Sequence, residues 1–576
     1  MVSKNRGFLP TSKKELDLLG WDYIDIILFT GDAYIDHPSF GTAVIGRYLQ
    51  SLGYRVAIVP QPNWRDDLRD FKKLGAPRLF FGVNSGVMDS MINHYTAAKR
   101  LRSNDAYTAD GRAGQRPDYA VTVYSKILKK LYPTVPVIIG GVEASLRRLA
   151  HYDYWQDSLK PSILFESQAD LLVYGMGERV VKEVASTLNK GGSLEDLKKI
   201  PQTAWLSNFP YQGEERAVKL ISYEKVLKSR EDFVKNFNVI EEESNAWAPA
   251  HISEPCMGKY VRVNPPFEIG PDGAIDQFYD LPYKREPHYR YLGKHISAFE
   301  MIKFSVTTHR GCFGSCSFCT ISAHQGKFVQ SRSEESILKE LSMIAAHENF
   351  KGIISDLGGP TANMYKMKGK NLDICIKCHR DSCIYPNICK NLNYSHNPLL
   401  ELYSKASKVK NIKKNFVSSG IRYDLFLNKK GYLDNSGKEY FKELILNHTS
   451  GRLKVAPEHT EESVLKAMGK PPFSNFTFLK NEFDKICKEE QKKFQLIPYF
   501  ISSHPGCTLE HMKALASNKI LKSVYLNQVQ DFTPTPMTRS AAAFYSGLDP
   551  TTLKKMFVER DLNKKKKQKS LFFNKF

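Results

Sequence analysis

Short apolar runs separated by amphipathic stretches mark the first 190 positions. Ile26-Ile27-Leu28-Phe29 is an apolar run of strand length, and residues 41–52 set Ala43, Val44, Tyr48 and Leu49 at helical spacing. Gly53 ends that helix, and Tyr54-Arg55-Val56-Ala57-Ile58-Val59 is a second strand. Strand, helix and strand in this order form a β-α-β unit, for which a parallel, doubly wound sheet is expected. The pattern recurs at Leu79-Phe80-Phe81-Gly82-Val83, at Pro136-Val137-Ile138-Ile139-Gly140-Gly141 and at Leu171-Leu172-Val173-Tyr174-Gly175, which leads through Gly177-Glu178 into a helix over 180–189. Glycines at strand ends are where such sheets bind ligands.

Past residue 189 the pattern fades into polar, proline-rich sequence such as Val263-Asn264-Pro265-Pro266. Residues 201–297 are therefore expected to be an extended connector packing on the core, with a helix around 223–234. A second series of strands starts at Lys303-Phe304-Ser305-Val306-Thr307 and continues near 352–357, 414–420, 452–456 and 495–500, each followed by helical spacing. Ser333-Glu334-Glu335 opens the first of those helices with carboxylates where the helix dipole favours them. The alternation predicts a β/α barrel, complete or partial, with active residues at the strand C-terminal ends. The expected class is α/β: a Rossmann-like domain over 1–200, the connector, a barrel over 298–550, and a basic tail over 551–576 read as disordered.

The candidate chemistry lies at the head of the second series. His309-Arg310-Gly311-Cys312-Phe313-Gly314-Ser315-Cys316-Ser317-Phe318-Cys319 puts three thiols in eight residues, on a loop that Gly311 and Gly314 let fold around one object. Thiolates are the usual ligands of a 4Fe-4S cluster, which normally takes four. Three leave one iron open, as catalytic metal sites keep a position for a substrate. The alternative is a structural zinc knot closed by His309 or His324. A second group, Cys375, Cys378, Cys383 and Cys389, lies in an insertion at about 366–397 and forms a candidate second metal site, for zinc or an auxiliary iron-sulfur cluster.

Of ten cysteines, seven fall in a triplet and a quartet, with Cys256, Cys487 and Cys507 apart and read as structural, which points to metal binding in a reducing cytoplasm and away from a disulfide framework. No run of about 18 apolar residues indicates a membrane span, and the N-terminus shows no apolar signal core. The net charge of +22 is compatible with a polyanion such as RNA.

The spacing Cys-x-x-x-Cys-x-x-Cys with Phe318 before the last cysteine resembles the signature of the radical S-adenosylmethionine (SAM) superfamily. Longer words, including Gly358-Gly359-Pro360-Thr361, Ala456-Pro457-Glu458-His459 and Ile497-Pro498-Tyr499-Phe500, resemble the YgiQ family within it, over about residues 9–549. The resemblance implies that Cys312, Cys316 and Cys319 hold the cluster and that the open iron chelates SAM. It implies that Gly358 and Gly359 receive the SAM amino group, that Ser418, Ser419 and Arg422 make polar contacts to SAM, and that Glu458 stands near its adenosyl portion. It also implies an electron donor such as flavodoxin or ferredoxin.

The first domain is similar to the cobalamin-binding-like domains that precede many radical SAM cores. Asp36-His37-Pro38-Ser39-Phe40-Gly41 departs by one residue at each end from the Asp-x-His-x-x-Gly loop of base-off cobalamin sites, which speaks against cobalamin here. The expected function is reductive cleavage of SAM to a 5'-deoxyadenosyl radical acting on an unidentified substrate, with RNA as a candidate. The competing expectation is a metal-containing RNA-binding or sensor protein without turnover. No residue is assigned as the catalytic acid, base or hydrogen donor.

Overall fold

The strands Ile26–Thr30, Val56–Pro60, Phe80–Asn84, Val137–Ile139 and Leu171–Val173 are all parallel and lie in the spatial order second, first, third, fourth, fifth. This is the flavodoxin-like doubly wound order, whose chain reverses direction between the first and third strands. Their near-continuous apolar sequence follows from burial on both faces: every residue of Ile26–Thr30 and Val56–Pro60 is buried. The computed structural model describes residues 7–213, 215–523 and 528–573. It falls into two units, one of Met1–Asn236, Ala248–Glu268 and Gln277–Lys303, the other of Phe237–Trp247, Ile269–Asp276 and Phe304–Phe576.

The segment 201–297, expected as an extended connector, instead adds four strands to the first sheet. Thr203–Ser207 adds antiparallel to Leu171–Val173, Lys259–Val263 and His251–Cys256 follow antiparallel, and Ala217–Lys219 closes the edge, giving nine strands. Sequence periodicity missed them because they are short strands whose faces mix polar and apolar residues. Ala217–Lys219 buries nothing, and His251–Cys256 carries Glu254 and Pro255. The expected helix divides into Tyr223–Val226 and Arg230–Asn245.

Glu254 is fully buried, with one carboxyl oxygen accepting from the Ala150 N–H at 2.9 Å and the other without a hydrogen-bond partner. Burial pushes this carboxyl from 4.5 up to about 8. The folded chain thus keeps a proton that the unfolded chain releases, and stability falls as pH rises through that window. Glu254→Gln keeps the shape without the charge. It is expected to match the parent near pH 5 and to exceed it at pH 8 by on the order of 1 kcal/mol or more, as denaturation midpoints at the two pH values would measure.

In the second unit the principal strands pair in chain order and in parallel. Ser305–Thr307 lies beside Asp356–Gly358, Ile353–Ile354 beside Lys414–Asn415, and Arg452–Glu458 beside Gln495–Ser502, which pairs with Gln528–Asp531. Ile421 bridges in parallel to Val455. Among the described residues no pairing joins the last strand to the first, so the barrel is partial. The helices Glu334–Ala345, Asn397–Ala406, Asn435–Asn447 and Phe473–Glu489 intervene, and Leu341, Leu402, Leu444 and Leu479 pack with Leu357, Val455 and Phe500 of the strands in one core. The Ser333 hydroxyl caps Glu334–Ala345 by accepting from the Ser336 N–H at 3.1 Å.

The tail expected to be disordered over 551–576 contains the helix Leu562–Phe573. Phe572 joins the barrel core, the Lys565 ammonium donates to the Phe532 carbonyl at 3.1 Å, and Gln568 accepts from the Ser503 N–H at 3.1 Å. Two of its three inward residues are polar, so a hydropathy pattern does not reveal the face. Residues 574–576 lie outside the described residues. No described helix is long and apolar enough to cross a membrane.

Candidate active site

Strand Ser305–Thr307 delivers the chain to Thr308 and His309, and His309–Arg310 pairs with Gln330–Ser331 to pinch off the cysteine loop. Cys312 is buried, with its Sγ 3.4 Å from the Thr361 hydroxyl. Arg422 donates from Nη1 to the Cys316 Sγ at 2.9 Å. Gly314 runs between these groups: a Cβ there would stand 3.3 Å from the Cys312 Sγ and 3.0 Å from Arg422 Nη1. Burial pushes the Cys312 thiol up, and burial together with Cys316 and Cys312 raises that of Cys319 to about 12. Thiols gathered this way resist ionisation until a cation takes their charge.

His309 is enclosed, with Nδ1 at 2.8 Å from the Thr308 hydroxyl and Nε2 at 3.0 Å from the Thr361 carbonyl. Both ring nitrogens are engaged, and burial lowers its pKa to about 4. Its ring lies against Gly359, where a Cβ would stand 2.5 Å from an imidazole carbon. Only glycine allows that approach. Gly358 accepts from the Thr308 N–H at 2.7 Å, so the glycine pair sits at the end of a strand beside the cysteine loop.

Ser418 and Ser419 both donate backbone N–H groups to Asp356, at 2.8 and 3.2 Å. The Ser418 hydroxyl bonds the Ser355 carbonyl and that of Ser419 bonds the Asp356 carboxylate. Burial pushes the Asp356 carboxyl up. Arg422 is buried and clamped by Asp424 through two hydrogen bonds of 2.8 and 2.6 Å. Burial opposes the Asp424 charge, but Arg422 outweighs it and holds the carboxyl below its usual range. Glu458 ends its strand after a register shift, at φ 68°, and stands 3.6 Å from the ammonium of buried Lys470. Burial raises its pKa against the pull of Lys470 and Arg422.

Phe318 packs with Met468, Val464 and Cys507, and its ring meets His504 edge-on at 6.2 Å. It thus braces the loop from behind. A pocket reaches Cys316 and Cys319 between Ile240, Glu241, Met537 and Arg539. Arg539 holds this wall by pairing with both Glu241 and Asp381.

The quartet's insertion lies against the same loop. The Cys383 N–H donates to the Phe313 carbonyl at 3.2 Å, and Ser382 Oγ donates to Phe313 and Gly314 carbonyls. Asn391 donates to Cys375 Sγ, and the Arg380 N–H to Cys378 Sγ, each at 3.4 Å. Cys389 and Cys383 pack on the apolar cluster that includes Cys312. Among the described residues no three His, Cys, Asp or Glu side chains converge as ligands of a single metal ion.

Sequence reasoning assigned no role to Thr361, Asp424, Lys470, the Glu241–Arg539 pair or Asn363, whose side chain accepts from the Arg422 N–H at 2.8 Å and donates to its carbonyl at 3.0 Å. Asp424, two residues after Arg422, carried the one local signal. Lys470 and Glu241 come together with the site only through the fold.

A family model described as Radical SAM N-terminal matches residues 8–305. A UPF0313 protein of Bacteroides thetaiotaomicron is 55% identical over 580 aligned positions, covering 98% of this chain and 94% of its own. The chain belongs to the UPF0313 family of the radical SAM superfamily. A UPF0313 protein of Porphyromonas gingivalis is 54% identical, over 98% of this chain and 90% of its own. Among solved structures, the cobalamin-dependent SAM radical enzyme OxsB with aqua-cobalamin and SAM bound is similar at a TM-score of 0.50 and 13% identity, over 91% of this chain and 55% of that one. That likeness is one of fold: the radical SAM partial barrel. The relatives bear the UPF0313 designation, so the narrower YgiQ reading rests on the motif words alone.

OxsB is solved with aqua-cobalamin bound; in this UPF0313 chain the protein's own side chains crowd the strand ends of the first sheet. His37 is fully buried, and its Nδ1 accepts from the Ser39 N–H at 3.0 Å. The crevice at the reversal of strand order is filled by Arg116, which pairs with Asp32 at 2.9 Å and Asp105 at 3.0 Å. A Cβ on Gly86, at φ 106°, would stand 2.1 Å from the Asp32 carboxylate. These residues do not fit cobalamin.

Proposed function

We propose that this UPF0313 chain is a radical SAM enzyme whose Cys312, Cys316 and Cys319 hold a 4Fe-4S cluster with one iron left for SAM. The observation that carries the reading is the Arg422 hydrogen bond to Cys316, on a loop led in by the strand that pairs with the one ending at Gly358. A cluster bound there supplies the electron that splits SAM into methionine and a 5'-deoxyadenosyl radical.

The thiolates of such a cluster each take a different iron, so they need not converge as the ligands of zinc must. The engaged nitrogens of His309 favour the cluster over a zinc knot that uses this histidine. In this reading the SAM amino group would be received at the strand end through Gly359, since the Gly358 carbonyl already accepts from the Thr308 N–H and hydroxyl, and the buried Glu458–Lys470 pair would stand near the adenosyl portion. Ser418 and Ser419 act through Asp356, which they hold at the strand end. Arg422 keeps the cluster loop in place and Phe318 excludes water behind it. The net charge of +22 makes RNA the first substrate class to assay, and the quartet is a second candidate metal site whose iron and zinc content can be measured after reconstitution.

The test is anaerobic. The protein is reconstituted with iron and sulfide, reduced with dithionite and given SAM, and 5'-deoxyadenosine is quantified. Its formation together with methionine is the expected result. No deoxyadenosine, with a cluster EPR signal that SAM leaves unchanged, would overturn the reading in favour of a sensor.

A further inference from the structure

The insertion that carries the quartet also carries an unusual surface. Helix Leu372–Ile376 buries no residue, and its aliphatic side chains Leu372, Ile374 and Ile376 are 45%, 54% and 48% exposed. No other five-residue stretch among the described residues exposes three large apolar side chains. A solvated helix this apolar is costly without a partner.

Around it stands positive charge. Residues 366–390 hold six lysines and arginines against two aspartates, and Lys370, Lys377 and Lys390 are exposed. An apolar centre inside a cationic rim is the complement of an acidic protein surface with an apolar middle. The insertion that carries the face is hydrogen-bonded to the cysteine loop further along its chain. From Cys383 a single hydrogen bond reaches the Phe313 carbonyl, next to Cys312, and Ser382 bonds the carbonyls of Phe313 and Gly314.

We propose that this face docks an acidic one-electron donor protein and is the entry point for the electron that SAM cleavage consumes. The proposal rests on the radical enzyme reading, which requires that electron and holds no source of it. In the step, a donor flavin hydroquinone is oxidised to the semiquinone and the oxidised cluster is reduced by one electron. No bond within this chain forms or breaks.

The probe is a flavodoxin of strongly acidic surface, used with the full chain reconstituted with iron and sulfide. Binding of oxidised flavodoxin is measured by calorimetry at low and high salt, and deoxyadenosine formation is driven in parallel by reduced flavodoxin and by dithionite. Wild-type affinity should weaken as salt screens the charges. Lys370→Glu with Lys377→Glu, and separately Ile374→Asp, should each lower affinity and the flavodoxin-driven rate about 10-fold or more and leave the dithionite-driven rate unchanged.

Equal flavodoxin binding by wild type and both variants would overturn the proposal. So would a wild-type affinity insensitive to salt, a result that does not depend on any variant folding. If dithionite yields no deoxyadenosine in the wild type and SAM leaves the cluster EPR signal unchanged, the radical enzyme reading fails, while the binding arm still decides whether the face docks the donor.

Discussion

Cys316→Ala protein reconstituted without oxygen is expected to hold about four irons fewer per chain than the parent, and to form at least about 100-fold less 5'-deoxyadenosine. Cys316 is the thiol that takes the Arg422 hydrogen bond, and it lines the pocket with Cys319. Removing it leaves two thiols, and an iron without a protein ligand is open to solvent. The informative comparison is Cys507→Ala. Cys507 is fully buried among Val464, Met468 and Met512, and burial raises its thiol to about 12. A thiol so placed is inert, and this variant should keep its iron. Iron analysis and visible absorbance of the two proteins check the contrast, and equal iron in both would remove Cys316 from the ligand set.

Arg422 should produce the second large effect, and it divides into two parts. Arg422→Met leaves the Asp424 carboxylate buried without its two hydrogen bonds, a loss of roughly 3–5 kcal/mol for a broken buried pair. It also removes the N–H donor from Cys316, and hydrogen bonds to ligand sulfur are one of the levers on a cluster's potential. A double change, Arg422→Met with Asp424→Leu, separates the two. It should recover most of the stability, because an apolar pair of similar volume can replace a buried ion pair. The cluster potential should stay more negative than in the parent. Denaturation midpoints read the first part and EPR-monitored reductive titration reads the second. A double variant as unstable as the single one would mean that Arg422 supports the fold by contacts other than Asp424.

The parallel strands of the first unit were legible because burial on two faces leaves continuous apolar runs, as in Val56–Pro60. The cysteine loop and the glycine pair were legible because their constraints are local: spacing for the thiols, and the closeness of the His309 ring for Gly359. The sheet extension over 203–263 was not legible, since Glu254 occupies an inward strand position only as a protonated acid. The helix Leu562–Phe573 escaped notice because it docks through Lys565 and Gln568 as much as through Phe572. Ser418 and Ser419 carried a family pattern, yet their hydroxyls are engaged by Ser355 and Asp356. Such pairings depend on which strand ends become neighbours, and no window of sequence holds that information.

The barrel unit is not one continuous piece of chain, since it takes in Phe237–Trp247 and Ile269–Asp276 from upstream. Glu241 meets Arg539 across nearly 300 positions of sequence, and Asp276 accepts from the Ser333 N–H at 2.9 Å. A recombination event that exchanged only the second half of the gene between relatives would separate those partners. The two halves are therefore expected to be inherited together, and chimaeras joined near residue 304 should recover activity only when the two upstream segments travel with the barrel.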